Sequence, residues 1–273
     1  MHTELVDGLE LITARPATPS SRPPLLFVHG AFAGAWMWAE RFLPWFAARG
    51  YHACALSLRG HGASFGGDQV DQHSIRDYVD DVTVAIAAVE RATGVAPVLL
   101  GHSMGGFVIQ KLLERQPARA AVLMCSVPPQ GLLAASFHLV FQNPALFIDF
   151  NRLLAGNDIT PDAVRAALFA HPLSDAEVAG YARRMATESQ RALWDMSMFN
   201  LVLLPAVHRT PLMVLGTDRD QLIPPFLVQS TAHAYGVPDH LFRGFGHGFP
   251  LEPGAERIAE AVVTWLEQLD GGV

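Results

Sequence analysis

Gly101-His102-Ser103-Met104-Gly105 lies between two apolar runs of different period. Val98-Leu99-Leu100 reads as a buried strand, and Gly106 to Leu113 is apolar at helical spacing. The chain therefore turns from strand to helix within five residues, with a serine at the apex. Glycines two residues to either side suit that turn. A Cβ there would collide with the neighbouring strand or helix, and the serine backbone itself is strained. The turn lifts the Ser103 hydroxyl clear of a sheet and makes it a candidate nucleophile.

Around this turn, apolar strand-like runs alternate with helical patterns. That alternation predicts an α/β fold, a mostly parallel central sheet flanked by helices. Strands are expected at Leu25–Val28, His52–Leu56, Pro97–Leu100, Ala120–Cys125, Pro211–Leu215 and His240–Arg243. Helices are expected over Trp36–Arg49, Ser74 to about Arg91, Gly105–Gln116, Pro225–Tyr235 and Pro253–Leu269. Residues 127–208 break the alternation. They read as successive helices around Leu132–Phe141, Ala145–Leu154, Pro161–Ala170, Asp175–Thr187 and Gln190–Leu203. An all-helical cap is expected there, inserted after the strand ending near Cys125. The core is then 1–126 and 209–273.

Composition narrows the function. Hydrophobic residues make up 50% of the 273, which suits a large core and not a disordered chain. The net charge is -7 and the basic residues are scattered, unlike a nucleic-acid footprint. Cys54 and Cys125 sit in apolar strand-like runs and are expected as buried free thiols. The first residues lack a secretory pattern and no run of about 18 apolar residues occurs. A cytoplasmic protein without a membrane span is the expectation.

A serine hydroxyl needs a base, and the base needs a partner that holds its tautomer. After a strand–turn–helix of this kind the chain order is serine, acid, histidine. Of 12 histidines, His247 is the expected base, in the glycine-rich stretch Gly244 to Pro250 straight after a strand. His233 falls in a helix and His240 opens a strand. Asp218 and Asp220 both follow the strand Leu212–Leu215. Asp220 is preferred, because Gln221-Leu222-Ile223-Pro224 can turn its carboxylate toward the histidine loop, while Asp218 can cap the turn. An oxyanion needs two backbone donors, expected from Met104 and from the loop His29-Gly30-Ala31-Phe32, with Ala31 first and Phe32 second. His29 is expected to hold that loop and His102 to form a pocket wall. Phe137, Phe141, Phe147, Trp194 and Met198, with Phe32 and His102, are expected to line an apolar substrate pocket.

Together these residues resemble the α/β-hydrolase superfamily over nearly the whole chain, in its capped serine esterase or lipase-like members. His29-Gly30-Ala31 with Trp36-x-Trp38 is similar to the oxyanion loop and first helix of that group. Leu58-Arg59-Gly60-His61-Gly62-Ala63-Ser64 resembles its arginine-glycine-histidine-glycine-x-serine loop. Gly101 to Gly106, Asp220 with Pro224, and His247 with Glu252 and Trp265 complete the pattern. The resemblance implies a carboxylesterase-like serine hydrolase with Ser103, Asp220 and His247 as its triad. It implies small-to-medium hydrophobic or uncharged esters, and neither a cofactor nor a metal. The implied partner is a small-molecule ester, not a nucleic acid, and a homodimer is allowed. Serine rather than aspartate at the turn separates the chain from haloalkane dehalogenases and epoxide hydrolases. No lysine follows Lys111, unlike plant-type hydroxynitrile lyases. Carbon–carbon bond hydrolases of meta-cleavage products usually carry asparagine where His102 stands, but Arg191 and Trp194 keep that alternative open. A non-hydrolytic ligand-binding member is the other alternative.

Overall fold

Leu25–Val28 (β3), Ala53–Leu56 (β4), Val98–His102 (β5) and Ala121–Met124 (β6) are buried at every residue. Strands covered on both faces read as continuous apolar runs, and that is why their spacing is plain in the sequence. In the computed structural model, which describes residues 1–154 and 160–270, they form the centre of an eight-stranded sheet. Leu212–Thr217 (β7) and Asp239–Phe242 (β8) extend it in parallel beyond β6. Beyond β4 lies an antiparallel pair, His2–Val6 (β1) and Leu9–Ala14 (β2), which the sequence reading lacks. Its signal was Asp7-Gly8. Both residues have positive φ, 50° and 81°, as a two-residue hairpin turn requires.

The expected helix over 36–49 is two pieces, Trp36–Ala39 (α1) and Phe42–Ala47 (α2). Pro44 has no N–H for the carbonyl of Glu40, and its ring would strike that carbonyl in a continuous helix. Ile75–Thr93 (α3) starts with a Ser74–Asp77 capping box and stops at left-handed Gly94. Met104–Leu113 (α4) follows the serine turn directly. Between β6 and β7 run Leu133–Gln142 (α5), Pro144–Leu154 (α6), Pro161–Leu168 (α7), Asp175–Ala182 (α8) and Gln190–Trp194 (α9). Two of these are shorter than the spacing implies. α8 stops before Arg183, and α9 passes into a wide π-turn over Asp195–Phe199. Residues 155–159 of the expected cap and 271–273 of the expected core lie outside the described residues. Pro225–Tyr235 (α10) and Glu256–Asp270 (α11) complete the flanking helices.

Each face of the sheet has its own apolar layer. Leu26, Val28, Val79 and Phe107 belong to one, and Phe27, Trp38, Phe46 and Ile258 to the other. Each such side chain contributes about 1.5–3 kcal/mol by leaving water. Cys54 and Cys125 are both buried and free. Among the described residues, no helix is long and apolar enough to cross a membrane.

Topology then sets where chemistry can occur. β3 pairs with β4 on one side and β5 on the other, so the winding direction reverses between β3 and β5. A crevice opens beyond the carboxyl ends of strands at such a reversal. Val28 is in register with Gly101, so the loop after β3 runs beside Ser103. The loops after β7 and β8 bring residues 218–220 and 244–248 to the same end of the sheet.

Candidate active site

Ser103 sits at φ 53°, ψ -118°, a conformation that costs about 1–3 kcal/mol for a residue with a Cβ. Its neighbours show why the turn takes glycine. A Cβ on Gly101 would lie 2.5 Å from the Gly105 oxygen. One on Gly105 would lie 2.5 Å from the backbone oxygens of both Val28 and His29. Gly30 is as crowded, with Ser103 Cβ and His102 Nδ1 each 2.9 Å from where its Cβ would be. The loop after β3 therefore lies flat against the serine. Met104 is the first residue of α4, so its N–H has no acceptor within the helix.

His247 and Asp220 meet at this end of the sheet. His247 Nδ1 is 2.7 Å from Asp220 Oδ2, with both side chains buried. Asp220 Oδ1 accepts the N–H groups of Leu222 and Ile223 at 2.8 and 2.7 Å. The turn thus holds one carboxylate oxygen and aims the other at the imidazole. With Nδ1–H donating to Asp220, Nε2 is the free acceptor of the ring. Asp218 instead accepts the Gly244 N–H at 2.6 Å. His233 is exposed on α10 and His240 lies in β8.

Cys125 stands beside the pair. It has φ 43°, and burial, then the charge of Asp220, pushes its thiol well above the usual range. Cys125, Asp220 and His247 could present three ligand atoms to a cation, all within 4.8 Å of one another. Asp220 and His247 are bonded to each other, and burial with the charge of Asp220 favours the neutral thiol at Cys125.

The oxyanion-loop candidates are tied down by buried polar groups. His29 Nδ1–H donates to the Gly30 carbonyl at 2.8 Å, and Nε2 accepts the Leu58 N–H at 3.0 Å. That pattern requires a neutral ring. Burial, then the charge of His61, lowers its pKa to about 3. The Phe32 N–H donates to Glu188 Oε2 at 3.3 Å, so this second-choice oxyanion donor is already engaged. Glu252, fully buried, accepts from Gly246 N–H at 2.8 Å and from Ala170 and His171 N–H at 3.1 and 3.0 Å. It joins the histidine loop to the segment after α7. Glu188 gave no signal in the sequence, where a glutamate among polar loop residues reads as solvated.

A cavity of about 150 Å³ opens over the serine, between the strand ends and the helices that follow β6. Ser103, Met104, His247, Ala31, Phe32, His102 and Phe147 line it. Asp220 lies behind His247. Phe137, Phe141, Trp194 and Met198 do not line it, which corrects the expectation. They are 63%, 77%, 53% and 44% exposed. Helix geometry gives the reason. Ala135 and Leu139 face the cavity from α5, and residues two positions further along lie on the opposite side. Leu193 and Met196 face inward in the same way, leaving Trp194 and Met198 outside. Aliphatic side chains such as Leu139, Leu193 and Met196 form the wall together with Phe32, Trp36, Phe147 and Tyr181.

Comparison with known proteins agrees with this architecture. Residues 25–261 match the family model described as "Alpha/beta hydrolase family". Monoacylglycerol lipase of Mycolicibacterium smegmatis is 28% identical over 233 residues, covering 81% of this chain and 80% of that protein. Probable esterase PIR7A of Oryza sativa subsp. indica is 36% identical over 110 residues, 39% of this chain and 40% of its own length. A thermophilic esterase from Thermogutta terrifontis superposes with a TM-score of 0.67 at 20% identity, covering 95% of this chain and 94% of that one. Matched along most of its length, and with the strand order and serine turn described above, the chain belongs to the alpha/beta hydrolase family.

Proposed function

We propose that this protein is a serine carboxylesterase for small-to-medium uncharged or hydrophobic esters, with Ser103, Asp220 and His247 as its triad. The observation that carries the reading is the Asp220–His247 hydrogen bond behind a histidine that shares one cavity with Ser103. His247 Nε2 takes the proton from Ser103 Oγ as Oγ bonds to the ester carbonyl carbon. The N–H groups of Met104 and Ala31 stabilise the oxyanion, Phe32 being held by Glu188. The tetrahedral intermediate collapses, the alkoxide leaves, and His247 returns the proton to it. Water then repeats the sequence on the acyl-enzyme and frees the acid. Asp220 keeps the ring in the productive tautomer and stabilises its cation. Residues 127–208 serve as a cap that keeps water from the reacting centre.

The names of the relatives, a lipase and an esterase, support ester cleavage. The cavity supports the substrate class. Its wall is aliphatic and aromatic, and its ionisable lining groups are His102, His247 and Tyr181, with no Arg or Lys among them. An acyl chain carrying a carboxylate would be desolvated there without a partner, at a cost of several kcal/mol. A cavity near 150 Å³ is large enough for a benzene-sized group. The carbon–carbon hydrolase alternative loses its motive, since neither Arg191 nor Trp194 lines this cavity. Both border a separate surface hollow.

A series of nitrophenyl esters tests this reading. The expected result is hydrolysis with kcat/KM highest for short to medium acyl chains and falling toward dodecanoate. A succinyl monoester should be poorer than butyrate by at least about tenfold. Equal turnover of charged and uncharged acyl groups would overturn the substrate class.

A further inference from the structure

Glu188 belongs to the connection between α8 and α9, and it is 4% exposed. A buried carboxylate is costly unless donors surround it, and here four do so. Oε1 accepts the Tyr78 hydroxyl at 2.7 Å and the Ser189 N–H at 2.8 Å. Oε2 faces His61 Nε2 at 3.1 Å and accepts the Phe32 N–H at 3.3 Å. His61 Nδ1 lies 3.1 Å from the Arg59 carbonyl, which can only accept. Both ring nitrogens therefore donate and His61 is an imidazolium. Burial alone would lower its pKa, but the charge and hydrogen bond of Glu188 outweigh burial and raise it. Burial would likewise raise the Glu188 value, and the charge of His61 together with the hydrogen bonds from His61, Tyr78 and Ser189 outweighs it and lowers the value.

The same short segment holds the other side of residue 32. The Ala186 N–H donates to the Phe32 carbonyl at 2.9 Å. Phe32 has φ 64°, a conformation a phenylalanine rarely adopts unless something maintains it. One peptide earlier stands Ala31, which lines the cavity over Ser103. The plane of the Ala31–Phe32 peptide is thus set by a carboxylate from the helical segment after β6, not by the sheet that carries the nucleophile.

We infer that Glu188 is a positioning residue for the oxyanion loop, making stabilisation of the transition state depend on how residues 186–188 are seated. This rests on the acyl-transfer reading above, in which Ala31 supplies an oxyanion donor. Glu188 acts through Phe32 and touches no reacting atom.

Glu188→Gln isolates the effect. The amide oxygen can keep the Tyr78 and Ser189 bonds, and the amide nitrogen can donate to a neutral His61. That nitrogen then faces the Phe32 N–H, so the bond to the loop is lost while the packing volume is kept. The expected result is a kcat on nitrophenyl butyrate lower by about 10–100-fold with KM within about threefold. A trifluoromethyl ketone, whose adduct mimics the oxyanion, should bind more weakly by the same factor. Amide exchange in peptide 29–36 should accelerate. Tyr78→Phe removes one support of Glu188 and leaves the carboxylate in place. It should shift all three readouts the same way by a smaller factor, and it stands in if the glutamine variant does not fold. A folded variant with kcat, ketone affinity and exchange at 29–36 all within twofold of the parent would overturn the inference, whatever its Tm. If the parent cleaves no ester and its Ser103 takes no phosphonate, the acyl-transfer reading fails instead. Exchange at 29–36 then still reports whether Glu188 holds the loop.

Discussion

Asp220→Asn is expected to leave a folded protein whose kcat on a nitrophenyl ester falls by about 10⁴-fold, with KM little changed. The size of the effect follows from which oxygen does what. Oδ1 already accepts two backbone N–H groups, from Leu222 and Ile223. In the asparagine variant the amide oxygen must stay there, because an NH₂ would face two donors. The NH₂ is then turned toward His247 Nδ1, which becomes an acceptor. The ring proton moves to Nε2, the nitrogen needed to receive the serine proton. The variant thus keeps its shape and loses its base. Circular dichroism with steady-state kinetics checks this, and a loss of less than about tenfold would speak against Asp220 as the partner of the base.

Gly105→Ala is expected to have the largest effect on folding among substitutions at the serine turn. The added methyl would sit 2.5 Å from two backbone oxygens, those of Val28 and His29. The Val28 oxygen cannot swing away, since Val28 is paired in the sheet to Leu56 and Gly101 on either side, and His29 follows it directly. β3 and α4 would have to separate. Forced overpacking costs about 1–3 kcal/mol where side chains can adjust, and more where backbone must move. Against a total stability of about 5–15 kcal/mol, that is a sizeable part of the margin. Thermal unfolding should show a Tm lower by more than about 10 °C, or no soluble protein. Gly94→Ala is the control. Gly94 has φ 76° but open space around the added methyl, so about 1 kcal/mol is expected. Equal Tm values for the two variants would contradict the steric account of the turn.

These cases show what a linear sequence conveys. β3 to β7 are legible because strands buried on both faces leave unbroken apolar runs. β1 is mostly exposed, and its apolar content is too thin to signal a strand, so only the Asp7-Gly8 pair marks the hairpin. Ser103, Asp220 and His247 stand out by chain order and by their loops at strand ends. The structure brings Asp220 against His247 and sets His247 and Ser103 on one cavity. Phe137 and Phe141 are large, but face decides which side chains line a cavity, and residues four apart on one helix share a face whether it is dry or wet. Glu188 was illegible for another reason. Tyr78 is 110 residues away and Phe32 is 156 residues away, so only the folded chain gathers the donors that make burial of the charge tolerable.

The serine is the centre of all of this, and a fluorophosphonate reads it directly. Intact mass should show one adduct per chain, peptide mapping should assign it to Ser103, and ester turnover should vanish in proportion to labelling. Ser103→Ala should take no label, fold normally and lose turnover by about 10⁶-fold. Appreciable turnover in that variant, or an adduct on another residue that abolishes activity in the parent, would contradict covalent catalysis at Ser103.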